Sequence, residues 1–325
     1  MTSPRDQRTP RARGNALRTA AALALLVAAL LYAGPAQVWD AARDADWRWI
    51  GAALLLVAAD RVLMAQRWIA LLRATLRGAM PPTSAIIRVF LVSSFLGTFL
   101  PGIGGDAVRT YALNRAAVPV ADAFASVFVD RFLGIISTLL MAAAGVLLAR
   151  DLLQDRAIVL GLAALTLVCA TAAALVFSPL AGRLGGEVAR RLPWARLERI
   201  VEGGVTGLQQ YARHHGLLLL VLAGSVAVQI LRVLQAWCLG RALGLALPVE
   251  TYFALVPVLL LVLLLPISIN GIGTGQIAFV ALFSRVGVGA ADAFTLSVLY
   301  LALGAAGNLP GGVLYLFDPK ERRAA

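Results

Sequence analysis

Asp60, Arg61, Asp106, Asp130, Arg131 and Arg232 stand in stretches of the chain that are otherwise apolar, with Arg88 and Arg285 in similar surroundings and Arg109 at the margin. An ionisable group at membrane depth is costly and persists where it pairs or works. Asp60/Arg61 and Asp130/Arg131 are sequence neighbours, and adjacent helix positions point to different faces. The expected pattern is therefore cross-pairing between helices around a shared polar centre. Arg88 and Arg285 are expected to snorkel toward the interface. With Arg109 set aside, five Arg face three Asp in these stretches. The surplus positive charge favours an anionic guest, and arginine forks suit phosphate.

Two glycine-rich breaks offer the complementary chemistry. After PGIGG, with Pro101 as the helix breaker, a new helix is expected to begin near Asp106, so that Gly104 and Gly105 present free amides to the break. A helix start of this kind holds phosphate or carboxylate through amides and dipole together. Asp106 is itself an anion at that position, and it either caps the helix or has a ligand or proton role. Arg109, one turn on, either neutralises Asp106 or meets the ligand. In the second break, which follows Pro266, Asn270, Gly271, Gly273 and the residues up to Gln276 offer the same amides without a carboxylate. Glycine spacing of this sort resembles a dinucleotide loop, but no strand pattern surrounds it, so that fold is rejected. No catalytic triad, HExxH or catalytic carboxylate pair can be named, and enzyme activity is not expected. Two Cys and two His without ligand spacing imply no metal site, and no cofactor is expected. Cys169 and Cys238 read as packing residues, and His214 and His215 as interfacial.

These side chains need elements that hold them at depth. Of 325 residues 60% are hydrophobic and 14% charged, against about 25% charged in an average soluble domain. A water-soluble enzyme is thereby excluded. The net charge of +12 is interleaved with apolar runs, which points to membrane orientation and anionic lipid rather than nucleic acid. The expected fold is an all-α polytopic integral membrane protein with about six spanning helices, at 19–36, 49–66, 123–149, 157–177, 216–237 and 293–317. The stretches 84–105 and 252–285 are broken by Pro and Gly and read as re-entrant helical hairpins. The plainer alternative is a pair of kinked spans.

With the N-terminus inside, the inner segments hold 19 Lys+Arg and 7 acids, the outer segments 5 and 7, and the membrane interior keeps +2. This asymmetry is what the positive-inside rule requires, with both termini cytoplasmic. Residues 1–15 read as a disordered basic tail, and 318–325 as a cytoplasmic tail. The run 19–33 is read as a first transmembrane helix, with a cleaved signal peptide as the alternative. Segment 183–213 reads as amphipathic helix on the inner surface, or as a cytosolic helical pair. Trp47, Trp49 and Trp68 stand at predicted span edges, as aromatic belts do.

Shifting the chain by 170 residues lays RAAVPVADAFASVFVDRFLG (115–134) on RVGVGAADAFTLSVLYLALG (285–304), with eight identities in 20 positions. PGIGGD (101–106) and NGIGTGQ (270–276) precede the two copies at nearly the same place. The first repeat is placed at 16–149 and the second at 150–317, running in opposite directions across the membrane. Inverted repeats are a signature of secondary transporters whose site lies at the repeat interface. Chance likeness between two Ala/Val-rich helices is the alternative.

The run FLGTFLPGIGGDAVRTYALNR with ADAFASVFVDRFLG resembles the central signature of the lysylphosphatidylglycerol synthase transmembrane family, whose members are also called flippase-like membrane proteins. PISINGIGTGQIAFVALF and NLPGGVLYL resemble its second signature, and the likeness runs from about 47 to 317. Pro101, Gly104, Gly105, Asp106 and Arg109 match the first motif, Asp130 and Arg131 the Asp-Arg that follows, and Pro266, Gly271 and Gly273 the second. Gly275 and Gln276 stand where the family commonly has Arg-Glu, which puts a coupling role for the second hairpin in doubt. The resemblance implies lipid translocation. The aminoacyl-transferase domain of the synthase relatives has no room in these residues, so synthase activity is not carried over.

The leading expectation is a flippase-like transporter for an anionic phospholipid or lipid-linked headgroup in the bacterial cytoplasmic membrane, working without ATP. Its headgroup site would comprise Gly104, Gly105, Asp106, Arg109, Asp130, Arg131, Arg232, Asn270, Gly271, Gly273 and Gln276. A membrane scaffold for a separate synthase or glycosyltransferase is the second reading, and an intramembrane lipid-phosphate transferase the third. Membrane lipids are the expected partners, with a membrane enzyme as a further one.

Overall fold

The structure, a computed structural model, describes residues 45–76, 80–100, 104–116, 118–148, 208–211, 213–264 and 274–317, together with Arg43 and scattered positions between 160 and 171. The predicted span 19–36, most of 157–177, most of segment 183–213, both tails, Pro101, Cys169, Pro266, Asn270, Gly271 and Gly273 lie outside the described residues. Among the described residues all regular structure is helical. In chain order it forms α1 (Trp47–Thr75), α2 (Thr83–Gly97), α3 (Gly104–Arg115), α4 (Val120–Leu148), α5 (His215–Ala242), α6 (Val249–Leu264), α7 (Thr274–Phe283) and α8 (Ala290–Leu316).

Four of these helices, α1, α4, α5 and α8, are long and apolar enough to cross a membrane. They correspond to the predicted spans 49–66, 123–149, 216–237 and 293–317. The chain is a multi-pass membrane protein. Large apolar side chains on the outside of the bundle, among them Leu55, Leu140, Leu147, Leu219, Leu220 and Val313, are exposed, as lipid-facing positions are. The other four helices have 15, 12, 16 and 10 residues. At 1.5 Å per residue they reach about 15 to 24 Å, less than the roughly 30 Å of a hydrocarbon core.

Local sequence fixes the helix ends. The Asp46 carboxylate accepts from the Arg48 amide at 2.9 Å and starts α1. Gly244, at φ 77, ends α5. There the Gly244 amide donates to the Arg241 carbonyl and the Leu245 amide to that of Gly240, a left-handed glycine stop. Pro310 lies inside α8, and the two glycines after it let another helix approach closely.

The order long, short, short, long occurs twice, and the packing repeats with it. α4 packs on α6 as α8 packs on α2, α5 on α4 as α1 on α8, and α2 on α3 as α6 on α7. Hydrogen bonds follow the same rule. The Val118 amide donates to the Leu113 carbonyl at 3.1 Å, and the Val288 amide to that of Phe283 at 3.2 Å. Ala123 donates to Pro119, and Ala293 to Gly289. Each of these pairs is related by the shift of 170 found in the sequence. Between the halves, Arg61 donates to the Gly304 carbonyl at 3.4 Å and Gln229 to that of Gly134 at 3.5 Å.

α1 and α5 run antiparallel along most of their length. The Asp46 amide meets the Ala242 carbonyl, Asp60 meets Arg232, and Gly224 lies against the Arg67 stem. The first helix of each pair then docks on the last long helix of the opposite half through glycine. Gly145 of α4 abuts the Phe253 carbonyl, and Gly311 of α8 abuts the Leu91 carbonyl. Gly311→Ala would drive a methyl into that carbonyl and is expected to cost about 1–3 kcal/mol. The measurement is a lowered thermal midpoint of the detergent-purified protein. Gly134→Ala, whose added carbon meets nothing within 4 Å, should leave the midpoint in place.

Candidate functional site

The first half of the chain closes around a buried ionic centre to which all four of its helices contribute. α4 supplies Asp130, whose Oδ1 accepts from Arg67 Nη2 of α1 at 2.6 Å, while Arg109 Nη1 of α3 lies 4.0 Å from Oδ2. These side chains are 6%, 7% and 5% exposed, so one carboxylate and two guanidiniums share a volume closed to water. The Arg109 guanidinium is wedged between the Trp68 ring of α1 and the Phe90 ring of α2, 4.8 Å from each centroid. A desolvated cation over aromatic faces regains part of its lost hydration. Its Nε donates to Ser93 Oγ at 3.2 Å, and Trp68 Nε1 donates to Ser126 Oγ at 3.3 Å.

At the edge of this centre, α3 and α4 are joined by a two-pronged pair. Arg131 donates from Nε to Asp106 Oδ2 at 2.7 Å and from Nη2 to Oδ1 at 3.0 Å. Arg131 is 58% exposed and Asp106 12%. A fork that is more than half open can exchange its carboxylate for another oxyanion. Gly105, in the first turn of α3, abuts the Gly97 backbone, so the start of α3 is pressed onto the end of α2.

A second ionic group lies at the middle of α1. Asp60 Oδ1 faces Arg232 Nε of α5 at 3.3 Å, and its Oδ2 faces Arg61 Nη1 at 3.5 Å. Arg61 and Arg232 also point donors at Met64 Sδ, at 3.7 and 3.5 Å. Arg67 is seven residues beyond Asp60, so the two groups lie about 10 Å apart along one stripe of α1.

The expected cross-pairing between helices is present, and several single assignments change. Asp60 also touches its neighbour Arg61, because Asp60 sits between two cations. Arg109 is fully inside rather than marginal, and it faces Asp130 and Ser93, leaving Asp106 to Arg131. Arg67, counted in an inner loop, is buried, because α1 continues to Thr75 well past the predicted end at 66. Trp68 belongs to no interfacial belt: it is 0% exposed and packs on Arg109. Trp47 is exposed as an edge residue is, whereas Trp49 meets Trp237 edge-to-face, with centroids 5.1 Å apart. Arg232 pairs with Asp60 and Arg131 with Asp106, so the two belong to different ionic groups, and Gln276, on α7, is half-buried.

Arg67, Trp68, Phe90, Ser93 and Ser126 are the site residues that sequence reasoning missed. The available signal was the spacing Asp60, Met64, Arg67, which puts all three on one helix face. At the corresponding places of the second half, the shift of 170 puts Phe279 for Arg109, Gln276 for Asp106 and Tyr300 for Asp130. There the rings of Phe279, Phe283, Tyr300 and Tyr252 pack on one another at 5.5 to 5.7 Å. An aromatic core thus replaces the ionic one. Among the described residues, no three His, Cys, Asp or Glu side chains converge as a metal site would.

A protein-family model described as the lysylphosphatidylglycerol synthase TM region matches residues 18–310. No match was found among curated proteins or among solved structures. The matched span takes in both halves of the bundle and every charged residue described above, and the chain belongs to the lysylphosphatidylglycerol synthase transmembrane family.

Proposed function

We propose that the chain is a flippase-like transporter that moves an anionic phospholipid or lipid-linked headgroup across the bacterial cytoplasmic membrane, without ATP and without enzymatic chemistry. The observation that carries this reading is the pairing of a closed Arg67–Asp130–Arg109 centre with a fork, Arg131, that is 58% exposed beside it. The closed part holds its geometry, and the open part is free to trade the Asp106 carboxylate for a lipid phosphate. The tails stay in the hydrocarbon while the headgroup passes along the polar groups. The family supports a membrane-lipid role, since its name refers to the membrane region of enzymes that modify a phospholipid.

Architecture supports the same reading. Two halves that pack alike, and whose equivalent helices α1 and α5 run antiparallel, fit an inverted repeat about an axis in the membrane plane. The short pairs α2/α3 and α6/α7 fit re-entrant hairpins that enter and leave on one side. Both termini are then cytoplasmic, on the side where the basic residues concentrate.

The test is reconstitution of the full chain into vesicles carrying fluorescent phosphatidylglycerol in both leaflets, with an added impermeant quencher. The protein should raise the fraction quenched above half, and Arg131→Gln should return it to the protein-free value at an unchanged thermal midpoint. Undiminished translocation by Arg131→Gln sinks the site assignment, and a wild-type rate equal to that of empty vesicles sinks the function.

A further inference from the structure

The group at the middle of α1 has more donors than acceptors. Asp60 is 3% exposed and is the only carboxylate in contact with Arg61 and Arg232 among the described residues. Two guanidiniums bring ten N–H donors. Against them stand the two Asp60 oxygens, the Gly304 carbonyl and the Met64 thioether, the last a weak acceptor. Arg61 Nε is buried with no acceptor at all. Leaving such a donor unmade is expensive, and more so for a charged group.

The group is also reachable. The Arg232 side chain is 28% exposed and that of Arg61 19%, although both sit near the middle of long membrane helices. A guanidinium at that depth is expected to face the bundle interior or a wet cavity rather than lipid. On α8, Gly307 packs against Val57 of α1, and a carbon added there would also lie 3.3 Å from Arg61 Nε.

We infer that Arg61 and Arg232 form a second oxyanion station, about 10 Å along α1 from the Arg67 end of the closed centre, which takes one phosphate group and holds it against the competing Asp60 carboxylate. The net charge of the three side chains is +1, so a singly charged phosphodiester neutralises the group, and its oxygens supply the acceptors that Arg61 lacks. The inference deepens the transport reading by adding a resting place midway between the two surfaces. It stands or falls by binding, whereas the transport reading stands or falls by translocation. The same chemistry would accept a lipid phosphodiester or inorganic phosphate.

The experiment titrates the full chain, in phosphatidylcholine nanodiscs, with dihexanoyl phosphatidylglycerol in one arm and inorganic phosphate in the other. Binding is followed calorimetrically, on an Arg131→Gln background that silences the other fork. Arg232→Gln is expected to weaken binding about tenfold, and Asp60→Asn to tighten it about tenfold by removing the competing charge. Opposite signs are required, since a merely structural cluster or a misfolded variant would lose affinity in both cases. Binding confined to the lipid arm identifies a headgroup station, and binding in both arms a general phosphate station. Unchanged affinity in Arg232→Gln, or weakening by both substitutions, overturns the inference.

Discussion

Asp130→Ala is expected to destabilise the protein by about 3–5 kcal/mol, the usual cost of removing one partner from a buried ion pair. The reason is geometric. Without the carboxylate, Arg67 and Arg109 face each other at 7% and 5% exposure, and neither can reach water. The Asp130 backbone carbonyl, 3.3 Å from Arg67 Nη2, compensates only in part. Against a total stability of roughly 5–15 kcal/mol, such a loss should appear as a poor yield of folded protein and a strongly lowered thermal midpoint in detergent. The double variant Arg67→Met/Asp130→Ala removes one stranded cation and should recover part of the loss, so that the two substitutions are non-additive. Asp106→Ala offers the contrast: its partner Arg131 is 58% exposed and stays solvated, so the cost should be within about 1 kcal/mol. A melting curve for Asp130→Ala that overlays the wild type would mean that the two guanidiniums are hydrated in place, and the closed centre would be wrong.

The four long helices were legible because nothing else explains about 20 consecutive apolar residues, and both breaks were legible because Pro and Gly are local breakers. The internal shift of 170 was visible in a single segment, around 115–134, and the structure extends its consequences to matching packing and matching hydrogen bonds. What escaped was the inward face of α1. The expected span stops at 66 because Arg67, followed by Arg73 and Arg77, reads as the start of a basic segment, yet the Arg67 charge is neutralised by Asp130, which is 63 residues away. Trp68 was misread for the same reason: next to a supposed boundary, an aromatic looks interfacial, whereas its face is occupied by Arg109. Which Asp meets which Arg depends on helix rotation and on how the short helices are placed, and adjacent positions such as Asp130 and Arg131 divide between a closed centre and an open fork. Sequence order alone carries no such information.

The two halves carry different chemistry at corresponding positions. Where the first half holds Arg109 between Trp68 and Phe90, the second holds Phe279 against Phe283 and Tyr300. An aromatic core needs no counter-ion and cannot exchange one. Gly275 and Gln276, at the start of α7, are uncharged as well. Gly275 lies against Leu263, with room for an added carbon only at 3.0 Å, and Gln276 keeps polarity without charge.

Exchanging the charges of the exposed pair separates a structural tie from a working fork. Asp106→Arg alone sets two guanidiniums face to face between α3 and α4, and Arg131→Asp alone sets two carboxylates there, so both single variants should melt below the wild type. The double variant Asp106→Arg/Arg131→Asp restores the attraction across the same gap, and its thermal midpoint should return to within a few degrees of the wild type, given the modest worth of a solvated pair. Translocation should not return with it. In the exchanged protein the fork projects from the first turn of α3, where the positive end of the helix dipole opposes a cation. It also no longer departs from the residue beside Asp130, so it loses the rigid mount that the closed centre provides. The vesicle assay should therefore read the protein-free value from a folded protein. Full translocation by the exchanged variant would show that the pair only ties α3 to α4, and the headgroup contact would then have to be sought at Arg61 and Arg232.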